Sequence, residues 1–427
     1  MEILRLQVNT SRLRRGRHWC LGAPKMAFDN TCMTIWSRFF VPLCLVMGFL
    51  YPTISQAQSE SGDKAALNAT VHSVCGREVV MIGESATHGD GHTESFKVAL
   101  VERLVNDCGF DSVFFEASHY EFINISRQLR LSKAVTTDQV SDAIGGLWKF
   151  DEEFKPLVPF LLNKAINGTV SLGGLDDQLG QFGQNYSNVT LLNNLTMVLP
   201  KPESQECSDV LHRRVYSEGY TEADGPKVLT CLAEIRRYYA SDGSKDRVDI
   251  DEWLEMINAI GRWIKRDGFS TGDQIVARDR SMFQDFQWLR QQQPKRHKAI
   301  LWMATVHAAK KGDPTWGDRT GANFGSLMHQ QYGVRGFSLG FSALEGTYRQ
   351  GKETHEQPVA PVDSLEARTF LNTNAESLFI GPGQLSSFGT IPAAIFSHSY
   401  QARPWSEYVD GLVIFRKEHA PIRSNKN

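Results

Sequence analysis

Short, unbroken apolar runs set far apart along the chain constrain its fold more than any other feature. Val79–Ile82 (VVMI), Val113–Phe115, Val170–Leu172, Ala299–Met303 (AILWM), Val334–Ser342 and Val409–Phe415 are such runs. A strand with one wet face alternates apolar and polar residues. A run without alternation suits a strand buried on both faces, as in a parallel sheet covered by helices. The segments between the runs carry helical spacing. Phe96, Leu100, Val101, Leu104 and Val105 recur on one face of a helix predicted over 94–106, with Gly109 ending it. Strand, helix, strand from 79 to 116 implies a parallel pair with a crossover. The next segment, holding Trp148, Phe154 and Leu157, reads as helical. The expected fold is therefore α/β, a parallel or mixed central sheet flanked by helices.

Residues 180–295 contain no strand-like run. The helical stretches 227–240, 250–266 and 272–291 read as a helical insertion within one α/β domain expected over 58–427. Residues 1–57 differ. A basic flank (SRLRRGRH, 11–18, then Arg38) precedes the uncharged run Phe39–Leu50 and small residues at Ser55 and Ala57. That order describes a secretory leader, with cleavage expected after Ala57 and a polar linker at 58–68. The run is shorter than the roughly 20 residues a membrane-crossing helix needs. No stable span is expected after cleavage, and an uncleaved anchor is the alternative. The expected location is periplasmic or secreted.

Cys75, Cys108, Cys207 and Cys231 remain beyond the leader. Of their three pairings, Cys75–Cys108 with Cys207–Cys231 is favoured, because each pair flanks one local segment; buried free thiols are the alternative. None has metal-ligand spacing with another. Asn167, Asn185, Asn188 and Asn194 open Asn-x-Ser/Thr triplets, which matter only in a glycosylating host. A net charge of −2 gives no basic footprint for nucleic acid. Neither a dinucleotide fingerprint nor a phosphate-binding loop occurs. The expected partner is a small-molecule substrate.

Ligands of open α/β sheets bind beyond the carboxyl ends of the strands. Glu84 and His88 follow the first run, Glu116 ends the second, Asp176 follows the third and His307 the fourth. The loop Gly83–Glu94 (GESATHGDGHTE) is rich in glycine, which allows tight bends and close approach to a ligand. Thr93 is the expected N-cap of the helix after it. His88, oriented by Glu84, has the makings of a general base. His88 and His92 are four apart with Glu94 beside them, a metal spacing on a helix, but Gly89 and Gly91 argue against a helix there. No cofactor is expected, although a metal site built from His88, His307 and a carboxylate is conceivable.

The stretch GESATHGDGHTESFKVALVERLVNDCGFDSVFFEAS resembles the opening motif of the erythromycin esterase family. Trp148 with Glu152 or Glu153, GGLDDQ (173–178), ARDRSM (277–282), LWMATVHAAK (301–310) and YVDGLVIF (408–415) are similar to later family landmarks. The resemblance spans roughly 75–416. It implies a sheet between helices, with kinship to haem-uptake and Tiki-like proteins. It also implies hydrolysis of a lactone ester by a His-activated water, without a serine nucleophile. Carried over, His88 is the base, Glu84 orients it or the water, Glu116 and His307 line the site, and Arg278 stabilises an anionic intermediate. Glu94, Asp176 and His92 are assigned to binding or stabilising. Two departures accompany the resemblance. Three residues, Ser85, Ala86 and Thr87, separate Glu84 from His88 where the family has two. Ala304 and Thr305 stand where the family has His and Asn. The alternatives are a metal-dependent hydrolase or peptidase, and a catalytically silent protein that binds a small, haem-like ligand.

Overall fold

The apolar runs become the strands of one sheet in the computed structural model, which describes residues 52–180, 185–241, 246–293, 297–314 and 322–424. In chain order the strands are β1 (Val79–Ile82), β2 (Ser112–Ser118), β3 (Ser171–Asp176), β4 (Ala299–Trp302), β5 (Gly336–Gln350), β6 (Glu353–Glu356), β7 (Ser377–Ile380), β8 (Thr390–Ala393), β9 (Gln401–Pro404) and β10 (Gly411–Glu418). The sheet runs β3-β2-β4-β1-β5-β10-β7, with β6 on β5, and β8-β9 forms a separate ribbon. All neighbours from β3 to β10 are parallel; β7 and β6 pair antiparallel. Ile82 faces Trp302 on one side and Leu339 on the other, so β4 and β1 end level, while β5 runs on past them to Gln350.

Helices fill the intervals: α1 (Pro52–Val74), α2 (Gly91–Cys108), α3 (His119–Arg130), α4 (Thr137–Ile144), α5 (Leu157–Ile166), α6 (Leu191–Thr196), α7 (Glu203–Tyr216), α8 (Gly225–Ser241), α9 (Arg247–Ile264), α10 (Thr271–Gln291), α11 (Thr305–Ala308), α12 (Phe324–Tyr332), α13 (Leu365–Phe370) and α14 (Pro382–Ser387). Alternation along β1 explains the two-sided burial. Val80 and Ile82 pack with Phe96, Leu100 and Leu104 of α2. Val79 and Met81 pack on the opposite face with Met282 and Phe286 of α10. Each such side chain, fully buried, contributes about 1.5–3 kcal/mol. Between β3 and β4 the regular elements among the described residues are all helices, and α6 to α9 share a core of their own around Leu195, Leu211, Leu232 and Ile260.

Both favoured disulfides are present. Cys75–Cys108 ties the turn after α1 to the end of α2, and Cys207–Cys231 ties α7 to α8. Closing loops of this length stabilises by about 3–4 kcal/mol through the unfolded chain. Several expectations are corrected. The supposed linker 58–68 lies inside α1, because Ala66, Val71 and Val74 bury an apolar stripe against the core. The supposed helix around Trp148 is a set of turns. Gly145, at φ +85°, and Gly146 stop α4, and regular helix resumes only at Leu157. Helix α2 starts at Gly91, so Thr93 lies inside it and Asp90 takes the capping position. The leader, apart from the residues that open α1, lies outside the described residues.

Candidate active site

Glu84, just past β1, is the hub. It is fully buried, and three donors converge on its carboxylate. His88 Nδ1 and Trp148 Nε1 each lie 2.7 Å from Oε1, and Lys97 Nζ lies 2.6 Å from Oε2. Burial pushes the carboxyl up, but the Lys97 charge and the His88 hydrogen bond hold it below its ordinary value. Burial pulls Lys97 down, against the opposing pull of Glu84. Lys97 also lies over the Trp302 ring, 4.1 Å from its centroid. A carboxylate with this many donors stays ionised and accepts only. The proton shared with His88 therefore sits on Nδ1, and Nε2 carries the lone pair on a side chain that is 11% exposed. Trp148 walls the imidazole edge-on at 5.2 Å.

The loop follows a path that few sequences can take. His88 has φ +52°, the left-handed region, which costs a residue with a Cβ roughly 1–2 kcal/mol. Gly83 and Gly89 are required by contact. A Cβ on Gly83 would sit 2.5 Å from Thr305 Oγ1, and one on Gly89 only 1.9 Å from the Arg349 carbonyl oxygen. The three-residue spacer thus still delivers His88 to Glu84 at hydrogen-bond distance.

The neighbouring strand ends supply a second group. Glu116 Oε1 accepts from Arg278 Nη2 at 2.9 Å, and its Oε2 accepts from the Ala304 amide at 2.9 Å. Arg278 also donates to Asp176 Oδ2 at 2.8 Å. His307 lies between two carboxylates, with Nδ1 2.5 Å from Asp279 and Nε2 3.3 Å from Glu116. Burial opposes its protonation, yet Asp279 and Glu116 push it up to about 10. Two flanking carboxylates thus favour the imidazolium, while Arg278 Nη1, 3.1 Å from Nε2, opposes it. Glu116 is held well below the usual carboxylate range; burial works against this, and His307 and Arg278 prevail. Strand spacing of about 4.8 Å puts the Asp176 and Glu84 strand ends roughly 14 Å apart, enough for a small molecule. Arg278 is pushed up despite burial, by Asp176 and Glu116, and its charge is neutralised there.

The remaining expected residues are placed as follows. Glu94 faces the buried side of α2, with both carboxyl oxygens unpartnered. Burial and the charges of Asp151 and Glu84 push it well up, which favours the neutral acid. His92 points away from His88. Its Nε2 is 2.7 Å from Asp63 and its Nδ1 is 3.0 Å from the Lys417 carbonyl oxygen. Thr93 donates to Glu418 through its amide and its hydroxyl. Lys97, Trp148 and Asp279 were not expected. Lys97 was detectable as a lysine at core-facing spacing with Leu100, Val101 and Leu104. Nothing in the local sequence marks Trp148 or Asp279 as partners. The pentapeptide Gly336–Gly340 (GFSLG) has the spacing of a serine-hydrolase elbow. It lies within β5 instead, and Ser338 is fully buried, donating to the Ala308 carbonyl oxygen at 2.6 Å.

Among the described residues, His119, Glu255 and Asp285 bring potential metal-ligand atoms within 4.8 Å of one another. Arg262 already bridges Glu255 and Asp285 there, so a guanidinium stands where a cation would sit. No helix among the described residues is long and apolar enough to cross a membrane.

The Erythromycin esterase family profile matches residues 105–380. The chain belongs to the erythromycin esterase family. No curated protein matches it in sequence. Solved structures share its fold. A Bacillus cereus protein is 16% identical at TM-score 0.66, covering 85% of this chain and 95% of its own. A succinoglycan biosynthesis protein is 14% identical at TM-score 0.65, covering 86% of this chain and 99% of its own. An erythromycin esterase mutant, EreC, in its open conformation, is 15% identical at TM-score 0.61, covering 83% of this chain and 94% of its own. Erythromycin esterase family membership suggests a hydrolase, of a kind generally independent of cofactors.

Proposed function

We propose that the chain is an exported hydrolase that cleaves an ester or lactone with a water activated by His88. One observation carries the reading: Glu84 accepts the Nδ1 proton of His88 and leaves Nε2 as a free acceptor. In that tautomer Nε2 takes a proton from water as the hydroxide oxygen bonds to the carbonyl carbon. The intermediate collapses, the carbon–oxygen bond to the alcohol breaks, and Nε2–H returns the proton to the leaving oxygen. Glu84 stabilises the imidazolium formed in between, as the carboxylate of a catalytic triad does. Arg278 of α10 and His307 of α11, beside the ends of β2 and β4, stabilise the growing oxyanion by turning N–H groups from Glu116 toward it. Because Arg278 is already neutralised by Asp176 and Glu116, its part is to polarise and position rather than to supply net charge.

The test is turnover of ester and lactone panels by the wild type and by His88→Ala. A loss of 100-fold or more is expected, since general bases contribute roughly 10²–10⁴-fold. Equal turnover in the two proteins removes His88 from the mechanism. Export is supported by the leader-like N-terminal sequence and the two disulfides. Fractionation of expressing cells with N-terminal sequencing tests it, with Gln58 as the expected new first residue.

A further inference from the structure

The loop has a second flank, turned away from Trp148, which is held by a histidine from elsewhere in the chain. His398 lies between β8 and β9. Its Nε2 is 3.1 Å from Ser85 Oγ and 3.0 Å from Thr87 Oγ1. Its Nδ1 is 3.2 Å from Gln357 Oε1. An amide oxygen only accepts, so the ring proton is on Nδ1 and Nε2 presents one lone pair to the hydroxyls. Ser85 and Thr87 are themselves 3.2 Å apart, so one hydroxyl donates to Nε2 and the other to its neighbour. The ring is stacked on Tyr348 with centroids 3.5 Å apart. Its segment is also joined to the loop by the Ala86 amide, which donates to the Phe396 carbonyl oxygen at 3.1 Å. Beyond His88, the Arg349 amide donates to the Gly89 carbonyl oxygen at 2.8 Å. The loop is thus fastened on both sides of its one strained residue.

We infer that His398 is a positioning residue, whose acceptor nitrogen holds the Ser85–Thr87 spacer in the path that aims His88 Nδ1 at Glu84. Burial and the charge of His355 push His398 down to about 3, so it stays a neutral acceptor throughout the working range. Asp90 Oδ1 lies 3.5 Å from the same nitrogen, and burial and the Glu418 charge push its carboxyl well up, which disfavours an anion there. Left-handed backbone at a residue with a Cβ persists only where its surroundings over-determine it, and His398 supplies that constraint from outside the loop.

The inference rests on the reading of His88 as the base, and its test separates the two. Three variants of the full chain are compared: His398→Leu, which removes the acceptor; His398→Gln, which can restore one; and Ser85→Ala with Thr87→Val, which removes the donors. Two quantities are read, ester-hydrolysis kinetics and the His88 ring tautomer by 15N NMR. His398→Leu is expected to lower kcat about 10–100-fold with KM nearly unchanged, the scale of a displaced catalytic group. The His88 ring is expected to lose its fixed Nδ1–H form. His398→Gln should recover most of both, and the double variant should match His398→Leu without adding to it. Thermal melting confirms that each variant is folded. An unchanged His88 tautomer in His398→Leu overturns the inference, as do equal losses in the Leu and Gln variants. If no ester is hydrolysed, the tautomer still reports positioning, so failure of the proposed reaction is distinguishable from failure of the clamp.

Discussion

His88 and His307 stand at the ends of neighbouring strands, and each has Nδ1 within 2.7 Å of a carboxylate oxygen. The second nitrogen separates them. His88 Nε2 makes no hydrogen bond to another described residue, whereas His307 Nε2 lies 3.3 Å from a second carboxylate, Glu116, and 3.1 Å from Arg278 Nη1. One carboxylate makes an oriented base; two make a fixed cation. A histidine near a carboxylate is therefore no assignment until both ring nitrogens are accounted for.

The sharpest way to break this contrast is to exchange what each histidine contributes. Glu84→Gln should lower kcat by about 10²–10⁴-fold, because an amide can stabilise the wrong tautomer of His88 and cannot compensate an imidazolium; steady-state kinetics check it. Lys97→Met leaves the Glu84 charge unpaired in the core and should cost about 3–5 kcal/mol in denaturant unfolding. His307→Gln should affect turnover less than His88→Ala and should change the pH dependence of stability. The folded value of His307, about 10, is raised above its ordinary one. Its contribution is complete below about pH 6.5 and is lost as pH rises toward 10. Melting temperature should therefore fall over that window in the wild type and flatten in the variant. The smallest effect is expected from Asp63→Asn. It removes a partly exposed partner of His92, worth less than about 1 kcal/mol; a melting shift of a few degrees at most, with kcat intact, places His92 outside the chemistry.

The sheet was legible because its strands are buried on both faces, and an apolar run that short and unbroken suits little else. The short strands β6 to β9 were not. Glu353–Glu356 is polar because it pairs at an exposed position beside the extension of β5, and nothing in its composition demands a strand. Glu84 and His88 were legible as a pair, since the loop places them four residues apart. Trp148 and Asp279 were not, because each reaches the site through a contact with a residue dozens of positions away. Thr93 was wrongly expected as the cap of α2 for a related reason. The acceptor for the first amides of α2 is Glu418, a side chain from β10 that no local pattern announces.

That last contact bears on how the protein is made. Glu418 accepts from the His92 amide across 326 residues of chain. The residues after it hold the turn that carries Trp148: Ile422 accepts from Glu152, and Arg423 reaches Asp151. At about 5–20 residues per second, the loop bearing His88 emerges on the order of tens of seconds before the segment that fastens it. During that interval the start of α2 has open amides, and the wall beside His88 is loose. Products truncated before residue 418 would carry every proposed catalytic side chain but lack the acceptor for the first amides of α2 and the ties to residues 151 and 152.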